Sequence, residues 1–437
     1  MSLKFENKLK LVTKRSLQLL PLAAIMFFNT SKGSAQGLGN SPYSAIGIGD
    51  VQGEAFASNI GTGNAGVASS NGMQINNLNP ALWVRNRFTT FEFGGVGQYK
   101  EVRALGASQK DLGINIGFVA LALPIKHYWT SGVVIKPHAY VDYSSSALGY
   151  IAGTNSPTVY GYKGRGALNK VSFTNAFQLG KYVSVGADLG YLFGNHENSS
   201  EVTVITDGTD NTVGLREKVN LKGLTARGGV ALKFPIKSDN KLFLNVGGTY
   251  TLGSDVKSRS TSTYDLTKDS FLISLAPDTL YKDKSGSMDL PSEYRVGVSL
   301  EWPFMLTLSA DYAHTDWNSF KNYKNVKSQQ VANTNRYSFG AEYIPKMRSQ
   351  RYFDLVAYRV GFNFGQSPYA PNGTQIDDKS VSLGLGLPMG SGANTLGLSF
   401  VGGERGVVAK NMLRERYLRV VMSLTFSDRW FTKPALD

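Results

Sequence analysis

From Phe88 onward, apolar positions alternate with polar or small ones over long stretches. Val183, Val185, Ala187, Leu189, Tyr191 and Phe193 interleave with Ser184, Gly186, Asp188 and Gly190. Tyr337, Phe339, Ala341 and Tyr343 interleave with Arg336, Ser338, Gly340 and Glu342. Successive side chains on a strand point to opposite faces, so each stretch has one apolar and one polar face. This period predicts strands near 88–104, 112–124, 129–147, 166–179, 182–204, 217–234, 241–256, 288–302, 304–318, 334–345, 354–365, 379–387, 394–404 and 415–427. Many exceed the five or six residues usual in soluble sheets. A tilted strand crossing a bilayer needs about 9–11.

The connections carry a second period. After odd-numbered strands the links are long: 148–165, 205–216, 257–287, 319–333, 366–378 and 405–414. After even ones they are mostly short, such as Gly180-Lys181 or Pro303 alone. The link at 105–111 is modest and that at 346–353 is longer than the rule wants. Short turns alternating with long loops are the asymmetry of a transmembrane antiparallel β-barrel. Alternation alone also fits a soluble sandwich, but a sandwich has no reason to produce that asymmetry. The expected fold is therefore all-β: a barrel of about fourteen strands over residues 88–437, closed because lipid offers no partner for an open sheet edge. Leu, Val, Phe and Tyr would face lipid, and polar residues the lumen. Tyr128, Trp129, Trp302, Phe304, Trp317, Trp430 and Phe431 are expected in interfacial girdles. Pro137 lacks a ladder donor, so a bulge is expected there.

The N-terminus reads differently. Lys4, Lys8, Lys10, Lys14 and Arg15 precede an apolar run from Leu17 to Phe28, and Gly33-Ser34-Ala35 offers a small-residue exit. That order predicts an export signal over residues 1–35. The run is too short to span a bilayer as a helix. Charged residues are only 18% of the chain, and no long apolar run suggests helical spans. Removing the six basic residues and one acid of 1–35 leaves 40 basic against 31 acidic residues, a net +9. In an exported protein that balance points to a charged lumen or to anionic lipid headgroups, and no nucleic-acid partner is expected. With no cysteine, disulfides and thiolate metal sites are excluded.

Residues 36–87 do not alternate. They are rich in Gly, Asn, Ser and Ala and suit a plug inside the barrel or a lead-in to it. Gly61, Gly63 and Gly66 spell GxGxxG, but no strand–helix–strand unit supports a dinucleotide site. Small residues leading to Asn79-Pro80-Ala81, just before the first strand, resemble the N-terminal hatch of the FadL long-chain fatty acid transporters. Asn40-Ser41-Pro42-Tyr43-Ser44, Gly47-Ile48-Gly49-Asp50 and the ending Phe426-Ser427-Asp428-Arg429-Trp430-Phe431 are similar to Bacteroidota relatives of that family. The broad group includes PorV, the barrel subunit of the type IX secretion system. The resemblance implies a fourteen-stranded barrel in the outer membrane of a Gram-negative bacterium, with residues 36–87 as its hatch and Asn79, Pro80 and Ala81 at the gate.

Little else suggests chemistry. His127, His138, His196 and His314 have no metal-binding spacing, and no nucleophile elbow is present. His314 and Asp316, with Ser309 and Asp311 on one strand, read as lumen-facing polar residues. Asp207-Gly208-Thr209-Asp210-Asn211 and Asp377-Asp378 read as solvated turns. No enzyme, metal or cofactor is expected. The long link 257–287 carries Phe271, Leu272, Ile273, Leu275 and Leu280, an apolar cluster suited to capping the barrel or meeting a substrate or partner. Two functions follow: passage of a hydrophobic or amphipathic small molecule through a hatch-gated lumen, or service as a non-transporting subunit of an outer-membrane secretion or assembly complex. The partners are then outer-membrane lipids, with either the small molecule or machinery proteins.

Overall fold

The computed structural model describes residues 37–151, 156–205, 211–236, 241–268, 273–274, 277–390, 394–409 and 412–428. The expected export signal lies outside the described residues, as do Asp207–Asp210, Phe271, Leu272, Leu275, Trp430 and Phe431.

After a two-residue strand β1 (Asp50–Val51), the wall begins with β2 (Thr89–Ala104), β3 (Ala107–Lys126), β4 (Trp129–Tyr150), β5 (Pro157–Leu179), β6 (Val183–Val204) and β7 (Asn211–Pro235). Next come β8 (Phe243–Thr251) and β9 (Ser254–Lys268), which pair one after the other along β7 and form one broken strand. The short β10 (Ile273–Ser274) pairs with β9. A second broken strand returns as β11 (Asp278–Leu290) on β9 and β12 (Glu293–Trp302) on β8. Then follow β13 (Leu306–Thr315), β14 (Thr334–Tyr343), β15 (Ala357–Gln366), β16 (Asp377–Met389), β17 (Asn394–Ala409) and β18 (Met412–Asp428). Every neighbour is antiparallel, and β18 pairs with β2 from Asp428↔Thr89 to Arg414↔Arg103. With each broken strand counted once, this is a closed barrel of fourteen strands.

The faces are inverted relative to a water-soluble sheet. On β15, Tyr358, Val360, Phe362 and Phe364 point out and are exposed, while Arg359 and Asn363 point in and are each only 4% exposed. The same parity holds on β2, where Phe91, Phe93 and Tyr99 are outside and Glu92, Gln98 and Lys100 are buried inside. Among the described residues no helix is long and apolar enough to cross a membrane, which says nothing about strands.

All fourteen expected strands are present, but several expected loops are not loops. Strand β7 starts at Asn211, β5 at Pro157 and β18 at Met412. The link 257–287 is largely the paired strands β9 and β11, so Leu280 lies on a strand rather than in a surface loop. Apolar residues in these extensions are few and short-lived in their alternation, so the period that reveals a strand weakens while backbone pairing with the neighbours continues. Asn211 opens β7 and Asp377-Asp378 open β16, so these too belong to strands. Trp317 is no girdle residue. It is 6% exposed and packs with Ile48, Phe320 and Val331. A register shift between Pro137 and Ala139 provides the expected bulge in β4.

Residues 37–86 pack against the inward face of the wall around most of its circumference. Backbone glycines of the wall touch the segment directly: Gly113 at Leu38, Gly132 at Trp83, Gly186 at Pro80, Gly247 at Val67, Gly340 at Thr62 and Gly384 at Gly61. Gly63, at φ +69°, meets Gly361 so closely that a Cβ on Gly361 would lie 2.0 Å from the Gly63 nitrogen. Gly61 and Gly63 of the GxGxxG run thus serve close approach of two backbones.

Candidate functional site

Charged side chains are prominent among the polar contacts that fix the segment to the wall. Glu54 is four-fifths buried and faces Lys170 of β5 at 2.6 Å, Lys136 of β4 at 3.7 Å and Arg227 of β7 at 3.9 Å. Arg227 also bonds Asp188 of β6 at 2.9 Å. Burial alone would raise the Glu54 carboxyl, but the three cations outweigh it and hold it well below the usual carboxylate range. On β17, Arg405 bridges Asp50 at 2.9 Å and Glu415 of β18 at 2.5 Å. Asp311 of β13 accepts the backbone N–H groups of Gly66 and Val67, each at 2.9 Å.

Asn79, Pro80 and Ala81 lie together inside the barrel. Asn79 caps the turn Pro80–Arg85: its Oδ1 accepts from the Ala81 N–H at 3.0 Å. Its Nδ2 donates to the carbonyls of Val67 at 2.9 Å and of Val230 on β7 at 3.0 Å. Pro80 sits where its missing N–H costs nothing, at the first position of the turn. The carboxamide therefore ties the turn, the preceding loop and the wall through one buried side chain.

Among the described residues, the wall is interrupted between β3 and β4. β3 and β4 pair only from Val119↔Ile135 to Lys126↔Trp129. Beyond that level β3 keeps only β2, and β4 keeps only β5 as wall neighbour. The Pro137 bulge marks where the two strands part. The free edge of β4 is taken by the N-terminal segment: β1 pairs Asp50↔Tyr140 and Val51↔Ala139, Gln52 donates to the His138 carbonyl at 2.9 Å, and Ser41 donates to the Asp142 carbonyl at 2.8 Å. On the β3 side, Asn40 donates from its backbone to Asp111 Oδ2 at 2.7 Å. Behind this seam Leu38, Ala57, Val96, Tyr140 and Val421 form an apolar cluster.

Two cavities flank the segment. One, of about 1410 Å³, opens among the short turns and is bounded by Ser69–Gln74, Arg85 and Arg87 of the segment, with Lys126, Tyr182 and Phe304 on the turns. The other, of about 290 Å³, lies toward the long-loop end, where Asp50 and Glu54 face Lys100, Lys136, Arg295 and Arg405. Among the described residues no group of His, Asp and Glu is arranged to hold a metal ion. His314 bonds Asn335 at 2.9 Å, and Asp316 stands at the start of a turn.

The sequence singled out Asn79-Pro80-Ala81, read Asp311 only as a lumen-facing polar residue, and gave Asp50, Glu54 and Arg405 no role. A usable signal existed. Arg359 and Arg405 occupy inward positions of strands whose other inward residues are small or uncharged, so a lone cation at that parity needs a partner inside the barrel.

Solved structures share this architecture. The toluene transporter TodX of Pseudomonas putida matches with a TM-score of 0.58 at 13% identity, over 87% of this chain and 100% of its own. The monoaromatic hydrocarbon channel CymD matches at 0.54 and 15% identity, over 86% and 98%. The toluene transporter TbuX of Ralstonia pickettii matches at 0.53 and 15% identity, also over 86% and 98%. At such identities the likeness is one of fold. No curated protein matches the chain. The model of the BamG family matches residues 18–437, nearly the whole length, and the chain belongs to that family.

Proposed function

We propose that the chain is a barrel of the Gram-negative outer membrane that passes a hydrophobic or amphipathic small molecule, with residues 36–87 as its plug. The seam between β3 and β4 carries this reading. It is the one stretch among the described residues where the wall is completed by the N-terminal segment rather than by a wall neighbour, and an apolar cluster lies behind it. When residues 37–52 withdraw, a hydrophobic molecule takes the place of Leu38 against Val96 and Tyr140 and leaves sideways into the bilayer. Asn79, Pro80 and Ala81 hold the gate's fixed end. The outward aromatic belt supports the membrane setting, and the hydrocarbon channels that share the fold support the substrate class.

The test is a reversible lock. Val51 and Ala139 are register partners, and the chain has no cysteine of its own. Val51→Cys with Ala139→Cys should form a disulfide across the seam. In vesicles, flux of a hydrophobic probe should stop under oxidation and return with reductant. Equal flux in both states would rule out the seam as the path.

A second reading has its own observation. The Glu54 and Arg405 ion pairs tie the segment to the wall at β4, β5 and β7 and again at β17, and the cavity on the long-loop side is lined by charge. A fixed plug suits a non-transporting subunit of an outer-membrane secretion or assembly complex. Purification from native membranes in mild detergent, followed by mass spectrometry, separates the two. Stoichiometric protein partners favour the subunit, and a lone barrel holding a hydrophobic small molecule favours passage.

A further inference from the structure

We propose that the outward face of β6, β7 and β9, just beyond the apolar belt, binds the phosphates of anionic lipid headgroups. This rests on the outer-membrane reading and adds a site to it. The belt on this side ends with Tyr191, Phe193, Leu224 (74% exposed) and Tyr250. One step further along the same faces the character changes. Lys222 stands beside Phe193 on β6 and directly opposite Lys257 on β9. Arg259 follows opposite Asn220, and Lys218 opposite Thr261. All four cations are exposed, and among the described residues none is in an ion pair.

Like charges directly across a ladder destabilise it unless something neutralises them. The chain does not supply that neutralisation. Glu197, the nearest acid on β6, is already engaged by Arg165 at 3.1 Å and Arg216 at 3.4 Å. Asp289 is engaged by Lys321 at 2.8 Å, which leaves Asp255, and Asp283 beside Thr261, as two carboxylates against four cations. An anion seated between Lys222 and Lys257 removes the repulsion and gains charge-assisted hydrogen bonds. Continuity with the belt selects the source: a lipid whose chains lie on Leu224 and Tyr250 presents its phosphate at this level.

The experiment uses the full chain, folded in detergent micelles and titrated in native mass spectrometry with bisphosphorylated lipid A, with phosphatidylcholine as the zwitterionic comparison. Folding is checked by heat-dependent gel mobility and by insertion into vesicles. Wild type should retain lipid A in preference to phosphatidylcholine. Lys222→Gln with Lys257→Gln should weaken lipid A retention by about 30-fold, roughly a factor of five per cation. Lys126→Gln with Lys181→Gln, at the opposite end of the barrel, should leave it unchanged. Equal retention by the Lys222/Lys257 variant and wild type overturns the site. So does displacement of the lipid by an equal concentration of inorganic phosphate, which would assign the cluster to the free ion. Either result in a protein that inserts into vesicles leaves the barrel reading intact, whereas failure to insert removes both.

Discussion

The Glu54 carboxylate meets the Lys170 ammonium through Oε1 at 2.6 Å inside the barrel, and Lys136 and Arg227 approach its Oε2. Glu54→Gln therefore leaves three buried cations with Asp188 as the nearby acid. Breaking a buried pair by removing one partner costs about 3–5 kcal/mol. The pH dependence follows from the depressed carboxyl of Glu54. A group lowered in the folded state adds stability above its unfolded value, near 4.5, and loses it as pH falls through the folded one. Urea unfolding in micelles should show wild type losing stability in acid and the variant losing less over the same range. Parallel curves would mean that Glu54 does not anchor the segment.

Asp311 accepts two consecutive backbone N–H groups, those of Gly66 and Val67. Asp311→Ala strands both donors where water is scarce, at about 1–3 kcal/mol for each unsatisfied group. The loop around Gly66 should become the first site of protease cleavage, with the wall strands still protected. Cleavage no faster than in wild type would show that the loop is held by other contacts.

Much of this fold is legible in the chain because an apolar outer face and a polar lumen impose opposite chemistries on alternate residues. The run Tyr358-Arg359-Val360-Gly361-Phe362-Asn363-Phe364 declares its strand and both faces at once. The signal fails where the sheet leaves the belt. Lys163-Gly164-Arg165 is polar on both sides, so it reads as part of a loop although it pairs with Ser199, Asn198 and Glu197 of β6. The site is less legible for a different reason. Asp311 binds Gly66 across 245 residues of sequence, and Arg405 binds Asp50 across 355. Such contacts carry no local pattern. Asn79-Pro80-Ala81 was visible as a short motif, but the bond from Asn79 to the Val230 carbonyl was not.

Phe362 tests whether the outward face meets lipid. It points outward, 43% exposed, between Gly361 and Asn363. On a water-exposed surface Phe362→Arg would be nearly neutral, whereas at mid-bilayer an arginine costs about 2–4 kcal/mol. Folding equilibria in lipid vesicles should show that loss. A neutral substitution would place this strand face outside the hydrocarbon region.

Deletion of residues 37–82 separates a plug from a scaffold. The wall closes by its own ladder from β18 to β2, so strand pairing does not require the segment. What the wall lacks without it is cover at the seam, where β4 beyond Ile135 loses the partners supplied by Ser41, Asp50 and Gln52. Inward Lys136, Lys170 and Arg405 would then face water, which hydrates them at little cost once the lumen is open. The deletion variant should still show heat-dependent gel mobility, and in planar bilayers it should conduct ions where the full chain is silent. A barrel that no longer folds would make the segment part of the structural core. A folded barrel that stays sealed would place the barrier elsewhere, among the long-loop residues 316–333 and 367–376, and would remove residues 36–87 from the gate.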